Sequence, residues 1–113
     1  MKRFASLKDA RNFIRVFKNG RALRGQYFRL HYLRNEVEKL RIGIVVTRKA
    51  GSSVTRNLLR RRYRNILCKS FVVLKFNYDI VIYVNSPINE IPFKDLEIEM
   101  NRLLDMVEGG IRV

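Results

Sequence analysis

Six cations within fourteen residues dominate the chemistry this sequence can offer. Arg56, Arg60, Arg61, Arg62, Arg64 and Lys69 fall in the stretch 51–69, and no acid sits among them. On a helix, like charges three and four residues apart repel by a few tenths of a kcal/mol per pair. An intervening carboxylate would offset that cost, and none is present. A phosphate backbone is the simplest relief, so the stretch reads as an RNA- or DNA-binding face. The plainer alternative is a solvated basic helix surface.

Catalytic groups are scarce. There is one histidine, His31, and one cysteine, Cys68, so no nucleophile–base pair and no cysteine-cluster zinc site can be assembled. Between residues 10 and 78 the only acids are Glu36 and Glu38, in a turn-like stretch. Asp95, Glu97, Glu99, Asp105 and Glu108 belong to the last helical stretch, away from the basic face. No Gly-Lys-Ser/Thr phosphate loop occurs. No catalytic and no metal-ligating residue is assigned, and the protein by itself reads as a binder. Cys68 reads as a small helix residue, and a lone thiol suits a reducing cytosol.

Composition bounds the rest. The 113 residues carry a net charge of +14 and a pI near 10.8, which call for a polyanionic partner. Residues 1–78 hold +18 of that charge and residues 79–113 hold −4. The binding surface is therefore expected in the first two-thirds, with scaffold in the last third. The length suits one domain, 1–113, with one real core. The basic N-terminus lacks the apolar run of a signal peptide, and no stretch approaches the roughly 18 apolar residues of a membrane span. A cytoplasmic protein with no membrane partner is expected.

Certain elements must position these groups. Ser6 to Asp9 resembles a capping box, and Leu7, Ala10, Phe13, Ile14 and Phe17 recur at helical spacing, predicting a helix over 7–18 that stops at Asn19-Gly20. Phe13 and Phe17 share that helix with Arg11, Arg15 and Lys18. They read either as core or as a platform for unpaired bases. Residues 21–25 form a connector with room for a short extended piece. Tyr27–Arg34 alternates as a strand, with Phe28, Leu30 and Tyr32 on one side and His31 on the other, at a surface or groove position. Residues 35–39 make a hairpin-like link.

Residues 41–48 form a β-branched strand that runs into the basic turn Arg48–Gly51. The arginine helix follows, capped by Ser52 or Ser53. On a helical wheel Leu59, Tyr63, Ile66 and Leu67 share one face. Asn57, Arg60, Arg61, Arg64 and Cys68 share another, Arg56 borders the two, and Arg62 points to ordinary surface. Residues 69–75 either extend this helix or pack as an apolar return. Asn77-Tyr78-Asp79 breaks the pattern before a buried strand at 80–84. Pro87 and Pro92 bracket a loop, and a final amphipathic helix runs from Phe93 to Gly109-Gly110. The order is α-β-β-α-β-α, an α/β sandwich in which the third strand joins through a β-α-β crossover.

The run Gly51-Ser-Ser-Val54-Thr-Arg56-Asn57-Leu-Leu-Arg60-Arg61-Arg62-Tyr-Arg64 resembles the signature of the bacterial ribonuclease P protein family, roughly G-x-A-V-x-R-N-x-x-K-R-x-x-R-E. Arg41 to Lys49 resembles the strand that precedes it. Phe13, Val16, Phe17 and Gly20 match a first-helix pattern F-x-x-V-F-x-x-G. The resemblance spans nearly the whole chain.

That resemblance implies a two-layer α/β sandwich with a left-handed crossover, like the second domain of a small-subunit ribosomal protein. It implies a subunit that binds a large catalytic RNA, the RNase P RNA, in an enzyme that removes the 5′ leader of precursor tRNA. Mg²⁺ would be held mainly by the RNA. Arg56, Asn57, Arg60, Arg61 and Arg64 match the RNA-facing helix. Phe13, Phe17, His31, Thr47, Arg48 and Lys49 match positions along a groove for the single-stranded leader. Arg60 stands where Lys is usual, Leu58 where Arg is frequent, and Asn65 where Glu closes the signature. His31 replaces an aromatic that is often Tyr, and Asn85 and Ser86 replace basic residues.

Overall fold

The structure, a computed structural model, describes residues 4–70, 72–86 and 91–109. In chain order it contains β1 (Ala5–Ser6), α1 (Ala10–Asn19), β2 (Arg21–Arg24), β3 (Arg29–Arg34), β4 (Arg41–Val46), a 3-10 turn (Arg48–Ala50), α2 (Ser53–Lys69), β5 (Tyr78–Val84) and α3 (Phe93–Gly109). The strands form one sheet in the order β1-β4-β5-β3-β2. β4 is parallel to β1 and β5, and β3 is antiparallel to β2 and β5.

Hydrophobic patterning decides the layers. Leu59, Tyr63, Ile66 and Leu67 of α2 and Leu96, Met100, Leu103 and Leu104 of α3 pack on Leu30, Ile42, Ile80 and Ile82 of the sheet. Each such buried side chain contributes about 1.5–3 kcal/mol of transfer free energy. These two helices and the sheet are the two layers of the sandwich. α1 lies on the opposite face, where Val16 and Phe13 pack with Leu7, Val81, Leu33 and Val45. β5 is central and clad on both faces, which is why it reads as a continuous apolar run.

The hand of the β4–α2–β5 crossover follows from hydrogen bonding and chirality. The Leu7 N–H donates to the Ile42 carbonyl, so the backbone groups of Ile42 point toward β1. The Thr47 N–H donates to the Val84 carbonyl, so the alternate positions of the β4 line point toward β5. The Ile42 side chain lies on the α2 face. For an L-residue in a strand running upward with its side chain toward the viewer, N–H and C=O point right. Seen from α2, β1 is then right of β4 and β5 is left. The crossover is left-handed, against the usual rule.

Several boundaries differ from the sequence reading, for local reasons. Ser6 does not cap α1, because Ala5 and Ser6 pair with Arg41 and Ile42 as an edge strand. Asp9 is the cap, accepting from the Arg11 N–H at 3.0 Å. The connector at 21–25 contains a four-residue strand that pairs with β3. Residues 35–39 are not a hairpin link, since β5 is inserted between β3 and β4. Tyr78 and Asp79 do not break the strand but begin it. α2 is capped by Ser52, whose Oγ accepts from the Thr55 N–H, and it ends at Lys69. Val72–Phe76 is non-helical, which selects the apolar return; Phe71, Pro87 and Gly110 lie outside the described residues.

Candidate nucleic-acid interface

Burial sorts the arginine helix as its wheel predicts. Leu59, Tyr63, Ile66 and Leu67 are buried, while Asn57, Arg61, Arg64 and Cys68 are exposed and Arg56 and Arg60 are half-buried. Arg60 Nη1 donates to Asn57 Oδ1 at 2.8 Å, so these two side chains stand as a pair one turn apart. Among the described residues the ion pairs are Arg11–Asp9, Arg15–Asp79 and Arg41–Asp79. None involves Arg56, Arg60, Arg61 or Arg64. Arg62 is not ordinary surface: its Nη2 donates to the Ile91 carbonyl and ties α2 to the segment before α3. Its position on the wheel points it toward that neighbour, which the sequence alone does not reveal.

The other sheet face is organised in rows by strand register. Leu33, Asp79 and Arg41 lie side by side, then His31, Val81 and Gly43, then Arg29, Tyr83 and Val45. α1 crosses the middle row. Phe13 lies over Gly43, where an added Cβ would come within 2.4 Å of its ring. Val16 is wholly buried with Val81. Phe17 meets His31 edge-on, centroids 4.8 Å apart. The third row is left half-open. A groove results, with Val45 and Tyr83 as floor and Phe17, 40% exposed, as one wall. Thr47 continues the floor, its Oγ donating to Asn85 Oδ1 at 2.6 Å. Arg48 and Lys49 are exposed beyond it, on the turn that leads round to α2.

His31 is held neutral by its surroundings. Burial first, and the nearby Arg29 charge second, keep its imidazole below the usual histidine value. Its Nε2 is buried without a hydrogen-bond partner. Its ring meets both Phe17 and Tyr83 edge-on.

The first row anchors α1. The Asp79 side chain is fully buried and accepts from Arg41 Nε and Nη2, both at 2.7 Å, from Arg15 Nη2 at 2.8 Å and from Asn35 Nδ2 at 2.9 Å. Burial acts to raise its pKa, but the bonds from Arg41, Asn35 and Arg15 outweigh it and hold the carboxyl below its ordinary range. Two acids of α3 fasten loops. Glu99 accepts from the N–H groups of Gln26 and Tyr27 at 2.8 and 3.0 Å. Glu108 accepts from those of Lys75 and Phe76 at 2.7 and 2.8 Å.

Phe17 and His31 are thus in contact on the α1 face of the sheet, Thr47 follows β4, and Arg48 and Lys49 are exposed on the turn after it. Phe13 and Phe17 divide, the first packed beneath α1 and the second at the rim. Tyr83 and Arg29 share the third row. The apolar run at 80–84 predicts a buried Tyr83, but alternation with Val81 places it half-buried on the α1 face, beside Arg29. Arg29 Cζ lies 4.7 Å from the centroid of the Tyr83 ring. Among the described residues no group of three or more His, Cys, Asp and Glu side chains is placed to hold a metal ion, and no helix is long and apolar enough to cross a membrane.

A left-handed strand–helix–strand unit carrying an arginine face without ion pairs among the described residues, beside aromatic side chains on the opposite face of the sheet, defines a strongly basic α/β protein. The family model for ribonuclease P matches residues 1–108, and the chain belongs to that family. A ribonuclease P protein component from Thermotoga petrophila is 34% identical over 107 residues, covering 91% of this chain and 92% of that protein. One from Streptococcus agalactiae is 30% identical over 97 residues, covering 86% and 88%. The solved RNase P protein of Thermotoga maritima superimposes with a TM-score of 0.81 at 30% identity, covering 92% of this chain and 98% of that one. The Staphylococcus aureus RNase P protein shares the fold, with a TM-score of 0.76 at 24% identity.

Proposed function

We propose that this chain is the protein subunit of ribonuclease P, a ribonucleoprotein hydrolase of tRNA processing. It acts in the cytoplasm as one RNA-binding domain, partnering the catalytic RNA and the precursor tRNA. Arg56, Asn57, Arg60, Arg61 and Arg64 contact the RNase P RNA. Phe17, His31, Thr47, Arg48 and Lys49 receive the single-stranded 5′ leader, and Phe13, packed over Gly43, holds α1 on the sheet. Cleavage of the leader is carried by the RNA with Mg²⁺ bound mainly there. The protein's part is to neutralise phosphate and to hold an unpaired strand.

The observation that carries this reading is the exposed arginine face of α2, free of ion pairs among the described residues, in a chain of the ribonuclease P family. Released counterions would supply affinity there. Reconstitution tests it. Adding the protein to RNase P RNA at low Mg²⁺ is expected to raise the cleavage rate of precursor tRNA. No gain would point instead to a general RNA-binding protein.

A further inference from the structure

Beyond Phe17 the groove does not stop. β5 is buried at every position except Tyr83, a large aromatic left half-open in the central strand. Its ring lies edge-on to Phe17 at 5.9 Å and to His31 at 6.1 Å, so an aromatic path runs from the α1 wall to the sheet's end. There it opens on a concavity of about 320 Å³ that Arg24, Gln26, Arg29, Tyr83 and Asn85 help to line. Arg29 is stacked over Tyr83, and among the described residues neither Arg24 nor Arg29 forms an ion pair.

The walls are preorganised. The Gly25 N–H donates to the Phe28 carbonyl at 2.9 Å, and the buried Glu99 carboxylate engages the next two N–H groups. That carboxylate is spent on the loop and does not face a ligand. What remains is two guanidinium groups and an aromatic ring, the combination that holds a nucleotide by its phosphate and its flat face.

We propose that Arg29 and Tyr83 form a nucleotide subsite for single-stranded RNA, next to the one at Phe17. Arg29 binds the phosphate, and Tyr83 keeps its guanidinium flat and packs against the base. Arg24 adds charge at the outer edge. The subsite deepens the leader-groove reading and rests on it.

The test measures Kd for reconstituted holoenzyme with precursor tRNAs whose leaders grow one nucleotide at a time. Arg29→Gln is expected to bind short leaders as wild type does, and both Arg29→Gln and Tyr83→Leu are expected to bind longer ones more weakly. They should lose about tenfold once the leader is long enough to reach the subsite. Arg29→Gln should also lower the salt slope by about one for those longer leaders. Arg29→Lys should restore the slope but not the full affinity. Phe17→Ala should lose affinity already on shorter leaders. Wild-type affinity of Arg29→Gln and Tyr83→Leu at every length would overturn the subsite and leave the groove standing. Equal loss at every length, with mature tRNA included and a lowered Tm, would also overturn it, as a packing defect. No dependence of wild type on leader length, with Phe17→Ala silent, would overturn the groove itself.

Discussion

Arg15 and Asp79 are 64 positions apart in the chain, yet Arg15 Nη2 donates to Asp79 Oδ2 at 2.8 Å. This contact fastens α1 to the central strand and so helps to set the wall of the groove. Arg41, on the neighbouring strand, completes the clamp with two bonds to the same carboxylate. Its electrostatics give the first prediction. Asp79→Asn leaves the largely buried Arg41 facing a neutral amide, so it should cost about 2 kcal/mol at pH 7, less than a fully buried pair would. The folded carboxyl titrates below its ordinary 3.8. Its contribution is therefore complete above that value and is lost as pH falls through the folded value. Urea melts at stepped pH should show an acid-side decline that Asp79→Asn flattens.

Histidine 31 predicts a second pH dependence at milder acidity. Its folded value lies below the ordinary 6.5, so the unfolded chain takes up the proton first. Stability is then expected to fall as pH drops through 6.5 and to level off below the folded value. His31→Phe keeps an edge for Phe17 and removes the titration. Its melting temperature should vary less than that of wild type between pH 7 and 5.

The two phenylalanines of α1 should separate in experiment. Phe17→Ala, at the rim, is expected to weaken leader-bearing precursor tRNA by about 1–3 kcal/mol while sparing mature tRNA. Phe13→Ala removes the ring packed on Gly43 and should lower Tm by leaving a cavity. Gly43→Ala should act in the same direction, because the new methyl occupies the place of that ring. Calorimetry beside binding to the two RNAs distinguishes these effects.

For α2, Arg60→Ala with Arg64→Ala should reduce the salt slope of binding to RNase P RNA by roughly one to two. Arg64 is exposed and Arg60 is half-buried with a bond to Asn57, so stability should change by less than about 0.5 kcal/mol for Arg64→Ala and by about 0.5–1 kcal/mol for Arg60→Ala. Arg62→Ala should behave oppositely, losing stability through its bond to the Ile91 carbonyl with little change in slope. An unchanged slope in the double variant would remove the RNA-binding role from this face.

The sequence by itself determined the arginine helix and its buried and exposed sides. These are local properties. Helical spacing places Leu59, Tyr63 and Ile66 together within two turns, and uncompensated charge is visible in the run itself. The strand that follows and the family signature are also written in contiguous residues.

Only the tertiary structure decided what is open and what is closed. Phe13 and Phe17 are equivalent by period; they part because α1 crosses the sheet over Gly43 and ends beside His31. Tyr83 looked like core until its row, with Arg29 and Val45, proved to be the one α1 leaves half-open. Asp79 looked like a break, because its partners lie 64, 44 and 38 positions away. Ala5 and Ser6 became a strand only through β4. Periodicity reports which side chains share a face of one element. Which face is covered depends on packing between distant elements, and that is settled only when the chain has folded.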